Sequence, residues 1–301
     1  MNSFYKELDN ALNIIKEEGI KKIERYSFRH GIKKIEWYMT DWCNYRCEYC
    51  LTDHSKAEFQ SLEKLLNIAN EIKKLLSKEE KYTLILKGGE VTYFDLETIF
   101  HVFDGYNIEF CITTNLSNKA EYYVNLLKKF NLRLNISFHA QAKKEEFLEK
   151  VKTIVSTERK NKNITFLFVI GNTKTNELYE EVIGTLENAY KNLKEIKIKK
   201  LPLKIKSEPN NTVPILPLIN KEKETIINDH PCALNMLDLP FLLDIDPFGY
   251  KCYNLYSFFV NKEGDIIHHR CSKKLNSQVV ICNKHKCNFC QVGAIEKNET
   301  N

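Results

Sequence analysis

Lys34-Ile-Glu-Trp-Tyr-Met-Thr-Asp-Trp-Cys43-Asn-Tyr-Arg-Cys47-Glu-Tyr-Cys50 decides how this chain reads. Its first half is a strand candidate, Lys34–Met39, in which large apolar residues recur at every second position. Its second half places three thiols on one short loop, with three residues and then two between them. A cubane [4Fe–4S] cluster takes one thiolate per iron for full ligation. Three Cys leave one iron open, and an open iron can hold a substrate or cofactor. Cys43, Cys47, Cys50 and His54 could alternatively form a tetrahedral Cys3His zinc site.

Working outward, the strand before the Cys loop opens a repeated alternation. A helix is expected near Ser61–Leu76, then a strand at Tyr82–Lys87 and a helix near Leu96–Phe103. Next come a strand at Asn107–Thr113, a helix at Lys119–Phe130, a strand at Leu132–Phe138 and a helix at Lys144–Ser156. A strand at Ile164–Ile170, a helix at Glu177–Leu193 and a strand at Glu195–Leu201 complete six strands. Such alternation implies a parallel sheet with right-handed crossovers. The expected fold is α/β, a partial (β/α)6 TIM-like barrel with a small C-terminal Cys-rich hairpin domain. In β/α barrels the chemistry sits at the C-terminal ends of the strands, where the Cys loop falls.

Before the alternation, residues 1–30 read as one or two short amphipathic helices, with Leu8, Leu12 and Ile15 at helical spacing before Gly19. After it the composition changes, since all seven Pro lie beyond residue 200. The expected divisions are an N-terminal helical segment (1–30), a barrel (31–205) and a C-terminal domain (206–301).

The strand ends carry further candidates. Lys87-Gly88-Gly89-Glu90 follows the second strand. Two Gly let the backbone approach a ligand closely, and a Glu there can accept from an ammonium group. Thr113-Thr114-Asn115-Leu116-Ser117 ends the third strand, and Ser137-Phe138-His139-Ala140 the fourth.

The Cys spacing, with aromatic Tyr49 before the third Cys, resembles the radical S-adenosylmethionine (SAM) enzymes. Gly88-Gly89-Glu90 is similar to that family's Gly-Gly-Glu motif, with Val91 in place of a frequent Pro. Thr114-Asn115 resembles its Thr-Asn-Gly segment, with Leu116 in place of Gly. The resemblance implies that Cys43, Cys47 and Cys50 ligate a catalytic [4Fe–4S] cluster whose open iron chelates SAM. One electron from the cluster then cleaves the C5′–S bond to a 5′-deoxyadenosyl radical. Cofactor-binding candidates are Tyr49, Gly88, Gly89, Glu90, Asn115, Ser137 and His139. The cofactors do the radical chemistry, and the protein supplies position and exclusion.

A separate Cys group closes the chain: Cys252, Cys271, Cys282, Cys287 and Cys290. Tyr256–Val260 and Asp265–His269 read as two strands about the turn Asn261-Lys-Glu-Gly264. A hairpin flanked by Cys and followed by Cys-x2-Cys resembles the twitch or shortened SPASM extension of the same superfamily, which holds a second, auxiliary [4Fe–4S] cluster. The expected ligands are Cys252, Cys271, Cys287 and Cys290, with Cys282 spare or a variant ligand. A zinc knuckle would use the same thiolates. Cys232 is a candidate hydrogen-atom donor or a packed thiol, and Cys111 reads as core.

The 301 residues, 43% hydrophobic and 28% charged, are those of an ordinary globular protein. No run of 18 apolar residues and no signal-peptide core is present, so no membrane span and a cytoplasmic location are expected. Ten Cys without a secretory signal point to metal ligation rather than disulfides. The net charge of +5 comes from Lys interleaved with Glu, a solvated surface rather than a nucleic-acid groove. The expected substrate is a peptide or protein side chain, with a carbohydrate or other small metabolite as the alternative. The expected partner is a reductant such as flavodoxin or ferredoxin. The reading from another class is a non-catalytic zinc or iron–sulfur module.

Overall fold

A computed structural model describes residues 2–25, 31–50, 52–54, 57–170, 176–202, 204–208, 211–214, 225–232, 246, 248–253, 257–268, 273–274, 279–282 and 294–298. The chain divides into two compact units. One holds residues 35–203 and 260–264, and the other 1–34, 204–259 and 265–301.

The first unit is the six-stranded alternation. Its strands are β2 (Ile32–Thr40, entering the unit at Ile35), β3 (Lys81–Gly88), β4 (Asn107–Thr114), β5 (Leu132–Phe138), β6 (Ile164–Ile170) and β7 (Ile196–Pro202). They lie side by side in chain order. From β3 to β7 every neighbouring pair is parallel. Helices α2 (Leu62–Lys73), α3 (Leu96–His101), α4 (Ala120–Lys129), α5 (Lys144–Ser156) and α6 (Asn176–Tyr190) alternate with them. This is the partial TIM-like barrel that the alternation implied.

One face of each strand is apolar and covered. Leu84 and Leu86, Phe110 and Ile112, and Ile136 and Phe138 are buried, as are Ile68, Leu127, Val151 and Ile183 on the helices. Phe100 stacks on Phe110 at 4.0 Å, and Phe138 meets Phe147 edge-on at 4.8 Å. Each such side chain contributes roughly 1.5–3 kcal/mol on burial. On β5 the other face is polar, with Arg133, Asn135 and Ser137 between its buried apolar residues. Arg133 reaches Glu109 at 3.5 Å, and the Asn135 amide donates to Cys111 Sγ at 3.3 Å. Alternation with period two therefore splits each strand between core and opposite face.

Within the second unit, helix α1 (Asn2–Glu18) ends at Gly19, whose φ is +67°. Of the one or two short helices expected over residues 1–30, α1 is present, and beyond it Lys22–Arg25 forms strand β1. It pairs antiparallel with β10 (Thr225–Ile227) and β17 (Ala294–Glu296). Ile23 is buried, and Asn228 Oδ1 accepts from the Lys21 and Lys22 amides at 2.9 and 3.0 Å. Tertiary pairing thus overrides a four-residue stretch with one apolar side chain. Strand order in this sheet is β11 (His230–Cys232), β10, β1, β17, β12 (Lys251–Tyr253), β16 (Val279–Ile281). Strands β13 (Ser257–Val260) and β14 (Ile266–His268) fall where the Cys-flanked hairpin was expected. Among the described residues, no helix is long and apolar enough to cross a membrane.

Candidate functional site

The site begins where β2 ends. Gly89 N donates to Thr40 O at 2.7 Å and Glu90 N to Trp42 O at 2.8 Å, so the turn after β3 sits directly on the root of the Cys loop. A Cβ on Gly88 would lie 2.2 Å from Thr40 O, and one on Gly89 1.8 Å from Trp42 O. Gly88 also has a φ of +140°. Neither position has room for a side chain, which is the physical need behind the Gly pair.

Glu90 is fully buried, and its carboxylate gathers the ends of β3 and β4. Oε1 accepts from Thr92 N at 3.2 Å, Thr92 Oγ1 at 2.6 Å and Thr114 Oγ1 at 2.8 Å. Oε2 accepts from Asn115 N at 2.6 Å. Burial pushes the carboxyl above its ordinary value, and these donors oppose that rise.

The loop presents Cys43 and Cys47 half-buried and Cys50 exposed, none in a disulfide. Burial raises the Cys43 thiol, while the Tyr45 amide, 3.4 Å from its sulfur, pulls it down. Burial raises Cys47 to about 11. Both thiols therefore hold their protons until a cation displaces them. Among the described residues, no three His, Cys, Asp or Glu side chains converge as ligands of a single ion do.

His139, at the end of β5, faces this loop. Its Nδ1 lies 3.4 Å from Cys47 Sγ and shares a hydrogen bond of 2.6 Å with the Tyr49 hydroxyl. Tyr179 on α6 stands 3.3 Å from the same hydroxyl. Burial lowers His139 to about 4, so the ring is neutral near pH 7. Burial likewise pushes Tyr49 upward. Ser137 is half-buried on the polar face of the same strand.

Around the loop, Asn44, Asp41 and Lys262, which carry no sequence signal of their own, join the candidates Asn115 and His54. Asn115 donates to Asn44 Oδ1 at 2.8 Å and lies 3.7 Å from Cys43 Sγ. Asn44 donates to Ser117 Oγ at 2.8 Å. Leu116, at the family's Gly position, has a φ of +61° and so keeps the turn that Gly would make. On the other flank, His54 Nδ1 donates to Asp41 O at 2.6 Å, and its Nε2 lies 3.2 Å from Cys50 Sγ. The Asp41 carboxylate accepts from the Tyr38 hydroxyl at 2.7 Å and pairs with Lys262.

Of the C-terminal Cys candidates, Cys252 and Cys282 lie among the described residues. Cys252 lies on β12, where it pairs with Val280 and Ile295. Cys282 follows β16, is half-buried, and its amide donates to Tyr250 O at 2.8 Å. Cys271, Cys287 and Cys290 lie outside the described residues. Cys232 is fully buried. Cys111 is buried, as a core residue.

The sequence profile of the Radical SAM superfamily matches residues 37–202. The radical SAM cyclopropyl synthase TigE of Paramaledivibacter caminithermalis is 22% identical over 281 residues, covering 85% of this chain and 51% of TigE. The chain thus spans about half the length of that curated relative. Among solved structures, anSMEcpe with bound AdoMet is 12% identical, with 79% of this chain and 74% of that chain covered and a TM-score of 0.46. Streptococcus suis SuiB bound to precursor peptide SuiA is 15% identical, with 93% and 67% covered and a TM-score of 0.39.

Proposed function

The chain belongs to the radical SAM superfamily, and from that premise we propose that it cleaves SAM reductively and abstracts hydrogen from a substrate. A [4Fe–4S] cluster and SAM are the cofactors that membership implies. Bound here, they supply a 5′-deoxyadenosyl radical. The observation that carries the reading is the seating of the Gly88-Gly89 turn against Thr40 and Trp42, at the root of a loop bearing three free thiols.

In this reading Cys43, Cys47 and Cys50 ligate the cluster and leave one position for SAM. The backbone of Gly88 and Gly89 lines the methionyl end. Glu90 has one lone pair of Oε2 without a described donor, and it accepts there from the methionyl ammonium. Tyr49, Ser137 and His139 close the opposite wall, with His139 held neutral beside Cys47. Asn115 stands between that wall and Cys43.

The substrate is a peptide or protein side chain, with a carbohydrate or other small metabolite as the second reading. The polar face of β5, with Arg133, Asn135 and Ser137, supports both over a lipid. The relative's name, cyclopropyl synthase, makes ring closure within the substrate a candidate outcome. A second, auxiliary [4Fe–4S] cluster on the C-terminal Cys belongs to the proposal, as do a reductant such as flavodoxin or ferredoxin and a cytoplasmic setting.

The test is anaerobic reconstitution followed by 5′-deoxyadenosine measurement under dithionite. The wild type forms it and Cys50→Ala does not, while both melt at similar temperatures, because Cys50 is exposed and outside the core. Equal 5′-deoxyadenosine from the two proteins sinks the assignment.

A further inference from the structure

We infer that Asn115 is a positioning residue for Cys43, locked by Asn44 and Ser117, and that it makes no contact with SAM. The inference rests on the reading of Cys43 as a cluster ligand.

The amide of Asn115 is spent within the protein. Its Nδ2 donates to Asn44 Oδ1 at 2.8 Å and points at Cys43 Sγ from 3.7 Å. Its Oδ1 accepts from Ser117 N at 3.1 Å and from the Ser117 hydroxyl. An Asn side chain has two donor hydrogens and one acceptor oxygen, and all are engaged. The residue is also buried, at 6% exposure. Asn44 and Ser117 close the ring through a bond of 2.8 Å. Side-chain amides thus join the loop after β2 to the loop after β4.

The backbone is set to aim this amide. Glu90 holds Asn115 N from one side. Leu116, with φ at +61°, turns the chain sharply, and Thr114 Oγ1 accepts from its amide at 3.0 Å. Lys150 on α5 donates to Leu116 O at 3.2 Å and to Ser117 O at 3.5 Å. A β-unbranched side chain in the left-handed region is strained, and several independent bonds hold it there.

The consequence lies at the sulfur. Cys43 Sγ faces two N–H groups, from Tyr45 and Asn115. Hydrogen bonds to cluster sulfurs withdraw electron density and raise the reduction potential. Losing the Asn115 donor therefore makes the cluster harder to reduce, and freeing Cys43 speeds its release.

The test compares wild type with Asn115→Ala, Asn44→Ala, Ser117→Ala and Ser117→Thr, all as full chains. In the apo proteins, iodoacetamide labelling of Cys43 is followed by mass spectrometry. In the reconstituted proteins, chelator-driven iron release and the midpoint potential of the SAM-responsive cluster are measured. Asn115→Ala is expected to release iron several-fold faster, with a more negative potential, and to label Cys43 more slowly, because its thiolate loses a donor. Its SAM affinity stays within about twofold of wild type. Asn44→Ala and Ser117→Ala shift in the same direction by less, and Ser117→Thr, which keeps the hydroxyl, restores wild-type values. A tenfold loss of SAM affinity in Asn115→Ala at unchanged potential and iron release overturns the inference. Should Asn115→Ala fail to fold, wild-type potential and labelling in Asn44→Ala, whose site is exposed, overturn it equally. A wild type that takes up no iron sinks the proposed function itself, a separate outcome.

Discussion

The two flanks of the Cys loop are held by different means. Cys43 and Cys47 are half-buried against the ends of β4 and β5, facing the Asn115 amide and the His139 ring. Cys50 is exposed and faces His54, whose ring hangs on the Asp41 carbonyl. Asp41 is in turn tied to Tyr38 and to Lys262, far downstream. The inner flank is thus built from consecutive strand ends. The outer flank is exposed and borrows a residue from beyond the alternating segment. This contrast puts precise geometry on the inner side and access on the outer side.

The largest effect is expected where both flanks share a base. Gly89→Ala would drive a Cβ into Trp42 O, which is backbone and cannot swing aside. The substitution should cost about 3 kcal/mol, the upper end for a single change, and loosen both flanks at once. Thermal melting and Cys labelling would show it. A wild-type melting temperature would mean that the turn does not bear on Trp42.

Next in size is Glu90→Gln, which acts on the inner flank alone. Gln keeps an acceptor but loses the charge, so SAM binding should weaken roughly tenfold or more, as a charge-assisted bond of ~1.5–3 kcal/mol implies. Calorimetric titration reads this directly. Stability should move the other way. Burial raises the Glu90 pKa, so the native fold binds its proton more tightly than the unfolded chain does. The wild type therefore loses stability as pH rises from the ordinary Glu value of about 4.3 through the raised native one. Glu90→Gln carries no such penalty, and its gain in melting temperature should shrink as pH falls through that window. A gain that grows toward acid pH would reverse the sign and the cause.

The smallest effect belongs to the outer flank. In the apo protein at pH 8, iodoacetamide should modify Cys50 first and Cys47 last, because only the thiolate reacts and Cys47 titrates at about 11. Lys262→Ala should speed Cys50 labelling slightly, leave Cys47 unchanged, and cost no more than about 1 kcal/mol, as partly exposed ion pairs do. Equal labelling of Cys47 and Cys50 would erase the distinction between the flanks.

Much of this was legible. Strands β2 to β7 and the helices between them follow from period-two and period-3.6 patterning, because each has one buried apolar face. The Cys triad was readable by its spacing, and the Gly88-Gly89 turn because neither position has room for a side chain. Lys22–Arg25 was not, since it is a strand only through pairing with β10 and β17. Asn44, Ser117 and Lys262 are ordinary surface residues in the sequence, and only the fold brings them to the loop. Leu116 read as a departure from the family's Gly, yet the backbone there adopts the turn regardless.

The central claim is that the three loop thiols hold a cluster with one iron left open for SAM. Electron paramagnetic resonance of the anaerobically reconstituted, dithionite-reduced protein tests it most directly. Adding SAM should shift the signal of one [4Fe–4S] cluster in the wild type, and that SAM-responsive signal should be missing from Cys43→Ala, Cys47→Ala and Cys50→Ala alike. A colourless zinc protein without iron, or a cluster signal indifferent to SAM, would contradict it.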